Sequence, residues 1–420
     1  MRDSKCWRWL LVAGAALAPV AARAQTPEGP LGVGVGSPNV APDFIQAPLP
    51  LYSQRPEAGG LYTAAEFVFM HQTRPVRDQT IMVRGFFDST GFITGQPGTF
   101  VGSGEPALTT GMLGRTSWEP GYRAEIGYRF ANGLAISVST LRLLKVSYNA
   151  GATLVTPFFR ANPNLAETFI TAPVFNFPVD FAGPPVKTVF DLNNPTTIGP
   201  NNISTHAGSN LFGIWNGASE ATEKYQQHYE QYDITGRVPV YSNDFARLYG
   251  LVGGRHAWLW ERFAWRTVSR DINGGAGPDD AADYTNLISN RMTGPFIGCG
   301  QECYLGGGFA LSGEATTALL IDRVREKASY ERDDVQFTGS GSKDARMEYR
   351  VVPNINGNCT LWWYPIQGVQ LRFSYNSLMY FNTVTSKFPV GFNYSKIDAP
   401  YETQWFRWIH GFTVGAGISF

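Results

Sequence analysis

In a chain of 420 residues, 34 basic side chains balance 34 acidic ones, and only 16% of positions are charged while 14% are aromatic. A soluble domain usually carries about a quarter charged residues, and a chain without net positive charge presents no basic field, so a nucleic-acid partner is excluded.

The amino terminus reads as an export leader. Arg2, Lys5 and Arg8 precede an apolar run from Leu10 to Val20, and Ala22-Arg-Ala24 supplies a small-x-small cleavage site. This three-part pattern predicts a secretory signal peptide over residues 1–24, and no Cys marks a lipoprotein. Its removal deletes four basic residues (Arg2, Lys5, Arg8, Arg23) and one acidic (Asp3), leaving 30 against 33. Residues 25–59 hold seven prolines and no periodicity, so an extended periplasmic lead-in is expected. No later stretch approaches the roughly 20 apolar residues of a spanning helix. An exported chain of this kind is released, periplasmic, or closed into a membrane barrel, because lipid tolerates no unpaired sheet edge.

From residue 60 to 420 the pattern is that of strands joined alternately by short turns and long loops. The first strand covers Leu61 to Met70, and Thr80 to Phe87 reads as a projecting arm. From Gly121 to Phe130, Tyr122, Ala124, Ile126, Tyr128 and Phe130 share one face while Arg123, Glu125, Gly127 and Arg129 share the other. Side chains alternate at every strand residue, so one face of this strand is oily and the other wet. A turn at Asn132-Gly133 leads into a strand from Leu134 to about Tyr148, followed by a long external loop from Ala150 to Thr222. Further strands are expected over Glu223–Val238, Arg247–Trp265, Arg291–Cys299, Phe309–Ile321, Arg346–Trp362, from Val369, and over Gln404–Phe420. Pro353 inside a ladder implies a bulge or a boundary. The count is ten, with eight to twelve open, and the fold class is all-β: a transmembrane antiparallel up-and-down barrel. Rings near strand ends, among them Phe67, Phe69, Trp258, Trp260, Trp363, Tyr380 and Trp408, suit the two membrane–water boundaries.

The inward faces carry Glu66, Arg123, Glu125, Arg129, Arg255, Glu261, Glu314, Arg346, Glu348, Arg350, Arg372 and Arg407. Mixed charge in a narrow lumen favours an ion-pair lattice that stiffens the wall. A slight basic excess also permits a small aqueous path for polar solutes. Porin-like passive passage is therefore the leading expectation, and a non-conducting structural or surface-recognition barrel the alternative. Phe420 closes an alternating strand of the kind that barrel-assembly machinery reads, which makes that machinery and outer-membrane lipid the expected partners. Cys299 and Cys303 are close enough in sequence for a disulfide across a tight turn, leaving Cys359 unpaired. Five His (His71, His206, His228, His256, His410) form no Ser/His pair in the alternation. Asp279, Asp280 and Asp283, with Asp271 and Asn273, read as a solvated acidic loop rather than an ordered calcium loop. Neither catalysis nor a cofactor is expected.

The unit Gly121-Tyr-Arg-Ala-Glu-Ile-Gly-Tyr-Arg-Phe130, the stretch Leu251-Val-Gly-Gly-Arg-His256, and Phe309-Ala-Leu-Ser-Gly313 together with Phe420 resemble a family of β-barrel porins abundant in planctomycete-type bacteria. They are more distantly similar to the Legionella-type major outer-membrane proteins. The resemblance covers roughly Leu61 to Phe420 through short motifs. It implies an outer-membrane barrel with pore activity and brings no catalytic residues.

Overall fold

The computed structural model describes residues 60–88, 94–96, 98–153, 169–176, 215, 217–243, 245–269, 280–333, 341–366, 368–394 and 399–419, all within one compact unit, Pro48–Phe420. The leader, the lead-in, His206, Asp271, Asn273, Asp279 and Phe420 lie outside them.

Period-two alternation builds the first strand, β1 (Gly60–Gln72), where Tyr62, Glu66, Val68 and Met70 are buried and Leu61, Phe67 and Phe69 are exposed. The chain then makes four short strands, β2 (Thr80–Arg84), β3 (Phe86–Asp88), β4 (Thr99–Val101) and β5 (Pro106–Thr109). Long strands resume with β6 (Trp118–Arg129), β7 (Ala135–Leu143) and β8 (Val146–Thr153), followed by the two-residue β9 (Ile170–Thr171). The remainder is a meander of β10 (Glu220–Ser242), β11 (Ala246–Val268), β12 (Ala281–Gly306), β13 (Phe309–Arg332), β14 (Gly341–Ile366), β15 (Val369–Thr385) and β16 (Glu402–Ser419).

Antiparallel pairing runs from β10 through β16 in order, and β16 pairs with β1 from Tyr62↔Ser419 to Gln72↔Ile409. The ring continues through β6 and β7 and returns to β10. There β7 and β8 share one position, because β10 pairs with β7 over 230–237 and with β8 over 220–227. Ten staves thus close the ring among the described residues, as the alternation predicts. Closure leaves no free edge in lipid. Separately, β5, β2 and β9 form a three-stranded sheet, and β3 pairs with β4; most of the stretch expected to project, Thr80–Phe87, is β2, whose Ile81 and Met82 are buried instead.

The outward apolar face includes Ile126, Ile136, Val138, Ile234, Val252, Ile297, Leu319, Ile321 and Val414, all exposed. That belt is what hydrocarbon covers. Both described ends of the barrel chain lie at the end with short turns, which is the periplasmic end of such barrels, and the long loops lie at the other. About 9–11 tilted residues cross a bilayer, yet β10 to β14 run for 23 to 26 residues. At about 3.3 Å per residue and a tilt near 40°, 26 residues rise about 65 Å. The wall therefore stands well above the membrane at the loop end, where outward positions turn polar, as at Asn149, Thr222 and Lys224.

Two expectations about β12 are corrected. The strand does not end at Cys299 but continues to Gly306, and the turn is made by Gly307 and Gly308, whose φ angles of 63° and 79° suit glycine. Cys299 and Cys303 are hence four residues apart on one extended strand, both facing outward, about 13 Å apart, where a disulfide requires Cα atoms within about 7 Å. Both are free, as is Cys359. Intact-mass measurement of unreduced, denatured protein should show three maleimide adducts outside the leader; fewer would mean a bridge between strands.

Pro353 marks a boundary of the kind expected. It lies in the β13–β14 ladder opposite Leu319, but pairing of β14 with β15 stops one residue away at Asn354↔Tyr380. The β15 register breaks after Tyr380, with Asn382 at φ 65°, and the Asn382 side chain donates to the Val351 carbonyl at 2.8 Å.

Candidate functional site

The lumen is the candidate site, and strand parity dictates what enters it. Near the turn end, Arg372 on β15 donates to Glu66 of β1 at 3.0 Å and to Glu125 of β6 at 2.7 Å, with all three side chains nearly buried. Arg372 also lies over the Trp362 ring at 4.7 Å. Glu314 of β13 accepts from Arg237 at 2.7 Å, Tyr249 at 2.8 Å and Asn358 at 3.0 Å. One layer higher, Arg255 grips Asp233 through two nitrogens at 3.0 Å each and reaches Asn354 across the lumen at 2.6 Å. Gln231, Tyr229 and Tyr380 continue the chain of hydrogen bonds. Between these groups a polar cavity of about 90 Å³ remains, lined in part by Arg123, Glu125, Asp233, Arg255 and Glu314.

A buried, mainly apolar cluster adjoins these polar groups, and Leu141 and Phe296 line the cavity as well. Val68, Met70, Leu141, Tyr229, Leu259, Met292, Phe296, Leu320, Val352 and Ile409 bring to it side chains from β1, β7 and β10 to β16. Above it the end of β15 turns inward. The Val384 backbone donates to Asn290 of β12 and accepts from it, both at 3.0 Å, and Asn286 donates to the Pro389 carbonyl at 3.0 Å. Arg407 and Glu261 pair across the same level at 2.5 Å, joined by Tyr225 and Thr385. The lumen is tied from β16 and β15 to β11 and β12.

At the loop end, residues borne by loops meet inward residues of the wall. Ile81, Met82, Leu108, Ile170, Trp215, Val390 and Tyr394 pack with Tyr225, Phe263, Trp265, Tyr284 and Tyr330 in a second buried cluster. The Trp215 ring lies 4.6 Å from that of Trp265, inclined at 60°, and its indole nitrogen donates to the Tyr330 hydroxyl at 3.3 Å. Burial beside Tyr284 and Tyr330 pushes the hydroxyl of loop residue Tyr394 well above the ordinary phenol range. This cluster is a stopper.

Of the sequence-derived lumen residues, Glu66, Glu125 and Arg372 converge on one another, and Glu261 meets Arg407. Glu314 and Arg255 take partners that the sequence reading missed, Arg237 and Asp233. Arg346, Glu348 and Arg350 lie on the inward face of β14 above Pro353, where β15 has left; Arg346 is half-exposed and pairs with Glu326 at 2.7 Å, and Arg350 with Glu348 at 2.7 Å. Arg123 lines the polar cavity, and Arg129 lies at the turn-end rim of β6. The missed residues Gln231, Asp233 and Arg237 share a parity on β10, opposite the exposed apolar positions Tyr232, Ile234, Val238 and Val240, and that alternation is the signal that could have found them. Two other placements differ from expectation. Tyr380 is interior and fully buried, and Asp283 lies on β12 facing outward, paired with Arg266 at 2.8 Å. Among the described residues no group of three or more His, Cys, Asp or Glu is arranged to hold a metal ion.

The ring, its outward belt and its filled interior define a transmembrane antiparallel β-barrel. No protein-family profile matches the chain, and no curated protein sequence matches it. Solved structures similar to it include the outer membrane protease OmpT of Escherichia coli, at 10% identity and a TM-score of 0.37, covering 86% of this chain and 97% of that one. They also include Ail, the attachment invasion locus protein of Yersinia pestis (10%, TM-score 0.20, covering 86% and 99%). A third is a major outer membrane protein of Thermus thermophilus (9%, TM-score 0.24, covering 85% and 99%).

Proposed function

We propose that this chain is a bacterial outer-membrane barrel closed to solutes, whose tall, rigid loop end serves as a structural or surface-recognition platform. The observation that carries this reading is the side-chain filling of the lumen: a buried cluster drawn from β1, β7 and β10 to β16 lies among the ion pairs of Arg372, Arg255 and Arg407. Water and ions cross such a filling only if it opens, and the Val384–Asn290 tie and the stopper around Trp215 add to it. The projecting wall supports the platform role, since strands more than twice the length needed to span lipid serve nothing inside the membrane. Purified, refolded protein inserted in planar bilayers should give no stepwise conductance while its heat-modifiable mobility shows a folded barrel. Regular conductance steps from folded protein would sink the proposal.

Porin-like passage of small polar solutes is the second reading, together with membership of the porin family that the short motifs resemble. The charged lining of the polar cavity near the turn end favours it. It requires the layers above that cavity to part, which the same bilayer recording would register.

A further inference from the structure

The outer wall carries a group of cations that form no ion pair among the described residues, immediately above the lipid belt. On β13 the outward positions run Leu319, Ile321, Arg323, Arg325, Lys327. Leu319 and Ile321 are 64% and 62% exposed, as hydrocarbon-facing residues are. At the next step upward the sequence changes to three successive positive charges. Register places Arg291 of β12 directly opposite Arg323, and Trp258 of β11 opposite Arg291. Ser289 and Met347 flank Arg325, while Leu287 and Ala345 flank Lys327.

None of these cross-strand neighbours is acidic. Among the described residues Arg291, Arg323, Arg325 and Lys327 make no ion pair, whereas Arg142, Arg237, Arg255, Arg266, Arg346, Arg350, Arg372 and Arg407 all do. The nearest outward carboxylate beyond Trp258, Glu230, is held by Arg142 at 3.0 Å and His228 at 2.7 Å. Like charges directly opposite on adjacent strands repel and destabilise the pair. A groove of about 410 Å³ lies over them, floored by Trp258, Trp260, Leu287 and Met347. The Arg291 guanidinium sits 5.1 Å over the Trp258 ring and Lys145 extends 4.5 Å over Trp260, so more positive charge gathers at the rim.

We infer that this groove docks a net-anionic, phosphate-bearing lipid headgroup of the loop-side leaflet, its phosphate held by Arg323 and Arg325 and its acyl chains lying on Ile321 and Leu319. Arginine forks match phosphate oxygens and form charge-assisted hydrogen bonds, and a bound phosphate relieves the repulsion between Arg291 and Arg323. The apolar belt continues from the groove without a break, which selects an amphiphile over a free anion. Trp258 and Trp260 stand where amphipathic rings mark the edge of the hydrocarbon.

Native mass spectrometry of the refolded protein from an uncharged detergent tests the site with three probes: dimyristoylphosphatidic acid, the phosphatidylcholine with the same chains, and inorganic phosphate. The expected result is retention of phosphatidic acid about tenfold tighter than phosphatidylcholine, lost in R323E/R325E and kept in R115E/K224E, which shifts the charge equally elsewhere on the surface. Equal retention of the two lipids, or unchanged retention in R323E/R325E, overturns the inference. So does inorganic phosphate held as well as the phosphatidic acid, which would make the site one for a free anion. Should the double reversal fail to fold, R323Q/R325Q substitutes, with a several-fold loss expected and no loss counting against the site. The result is independent of conductance, so an open pore would leave this inference standing.

Discussion

Replacing Arg372 by Met should lower the unfolding free energy of the barrel by about 3–5 kcal/mol, because it strands Glu66 and Glu125 in the interior. Arg372 serves both carboxylates at once, at 3.0 and 2.7 Å, and its side chain is only 6% exposed. Two long-range closures of the ring depend on that point, since β1 and β6 both meet β15 there across β16. The matched control is Arg350→Met. Its partner Glu348 is 30% exposed on the open flank of β14, where solvent screens the pair and the loss should stay below about 1 kcal/mol. Urea unfolding followed by tryptophan fluorescence compares the two. Adding Glu66→Gln and Glu125→Gln to Arg372→Met should recover part of the loss, separating stranded charge from lost packing against Trp362. Equal small losses in both single variants would mean that the lattice contributes little.

Trp265→Ala should loosen the stopper while leaving the membrane-embedded staves in place. Trp265 is fully buried, packed at 4.6 Å from Trp215 and 6.4 Å from Tyr284. Truncating a buried Trp or Phe to Ala typically costs about 3–5 kcal/mol through lost contact and the cavity left behind. Here the cost falls on loop docking, because loop-borne Trp215 loses a wall partner and with it its own contact to Tyr394 loosens. A loss of about 3 kcal/mol corresponds to an opening more frequent by about 100-fold. Limited proteolysis should then cut the loops near Trp215 and Tyr394 far faster than in the parent, with heat-modifiable mobility retained. If the loops stayed as resistant as before, the cluster would not be what holds them. If the whole barrel unfolded instead, stopper and wall would form one cooperative unit.

Strand existence was readable wherever one face meets oil. Tyr122, Ile126 and Tyr128 against Arg123, Glu125 and Arg129 orient β6 without any partner in view, and the same holds for β16 and the lower half of β11. Legibility failed above the membrane. The upper parts of β12 and β13, with Asp283, Arg291, Arg323, Arg325 and Lys327 on the outward face, lose the oily stripe, so both strands looked much shorter than the 26 and 24 residues they have. The Cys299–Cys303 bridge failed at the opposite, short-turn end, where a turn was placed although the strand continues to Gly306.

Lumen chemistry was only half legible. Parity places Glu66, Glu125 and Arg372 on inward faces, but their meeting requires a ring in which residues 306 positions apart in the chain become neighbours. Asp233 and Arg237 lie opposite the oily positions Tyr232, Ile234 and Val238 and were legible by the same alternation, which the polar upper half of β10 (Thr222, Lys224, Gln226) obscures. The stopper was invisible in the loops, where Trp215 and Tyr394 carry no periodicity.

By itself the sequence determined the class of the fold, because alternation of oily and wet side chains is a local property that each strand records independently. Whether the cylinder is hollow or filled was decided only in three dimensions. Filling is a sum over ten staves and the loops that fold between them, and closure of the ring sets which inward side chains touch and how little space remains.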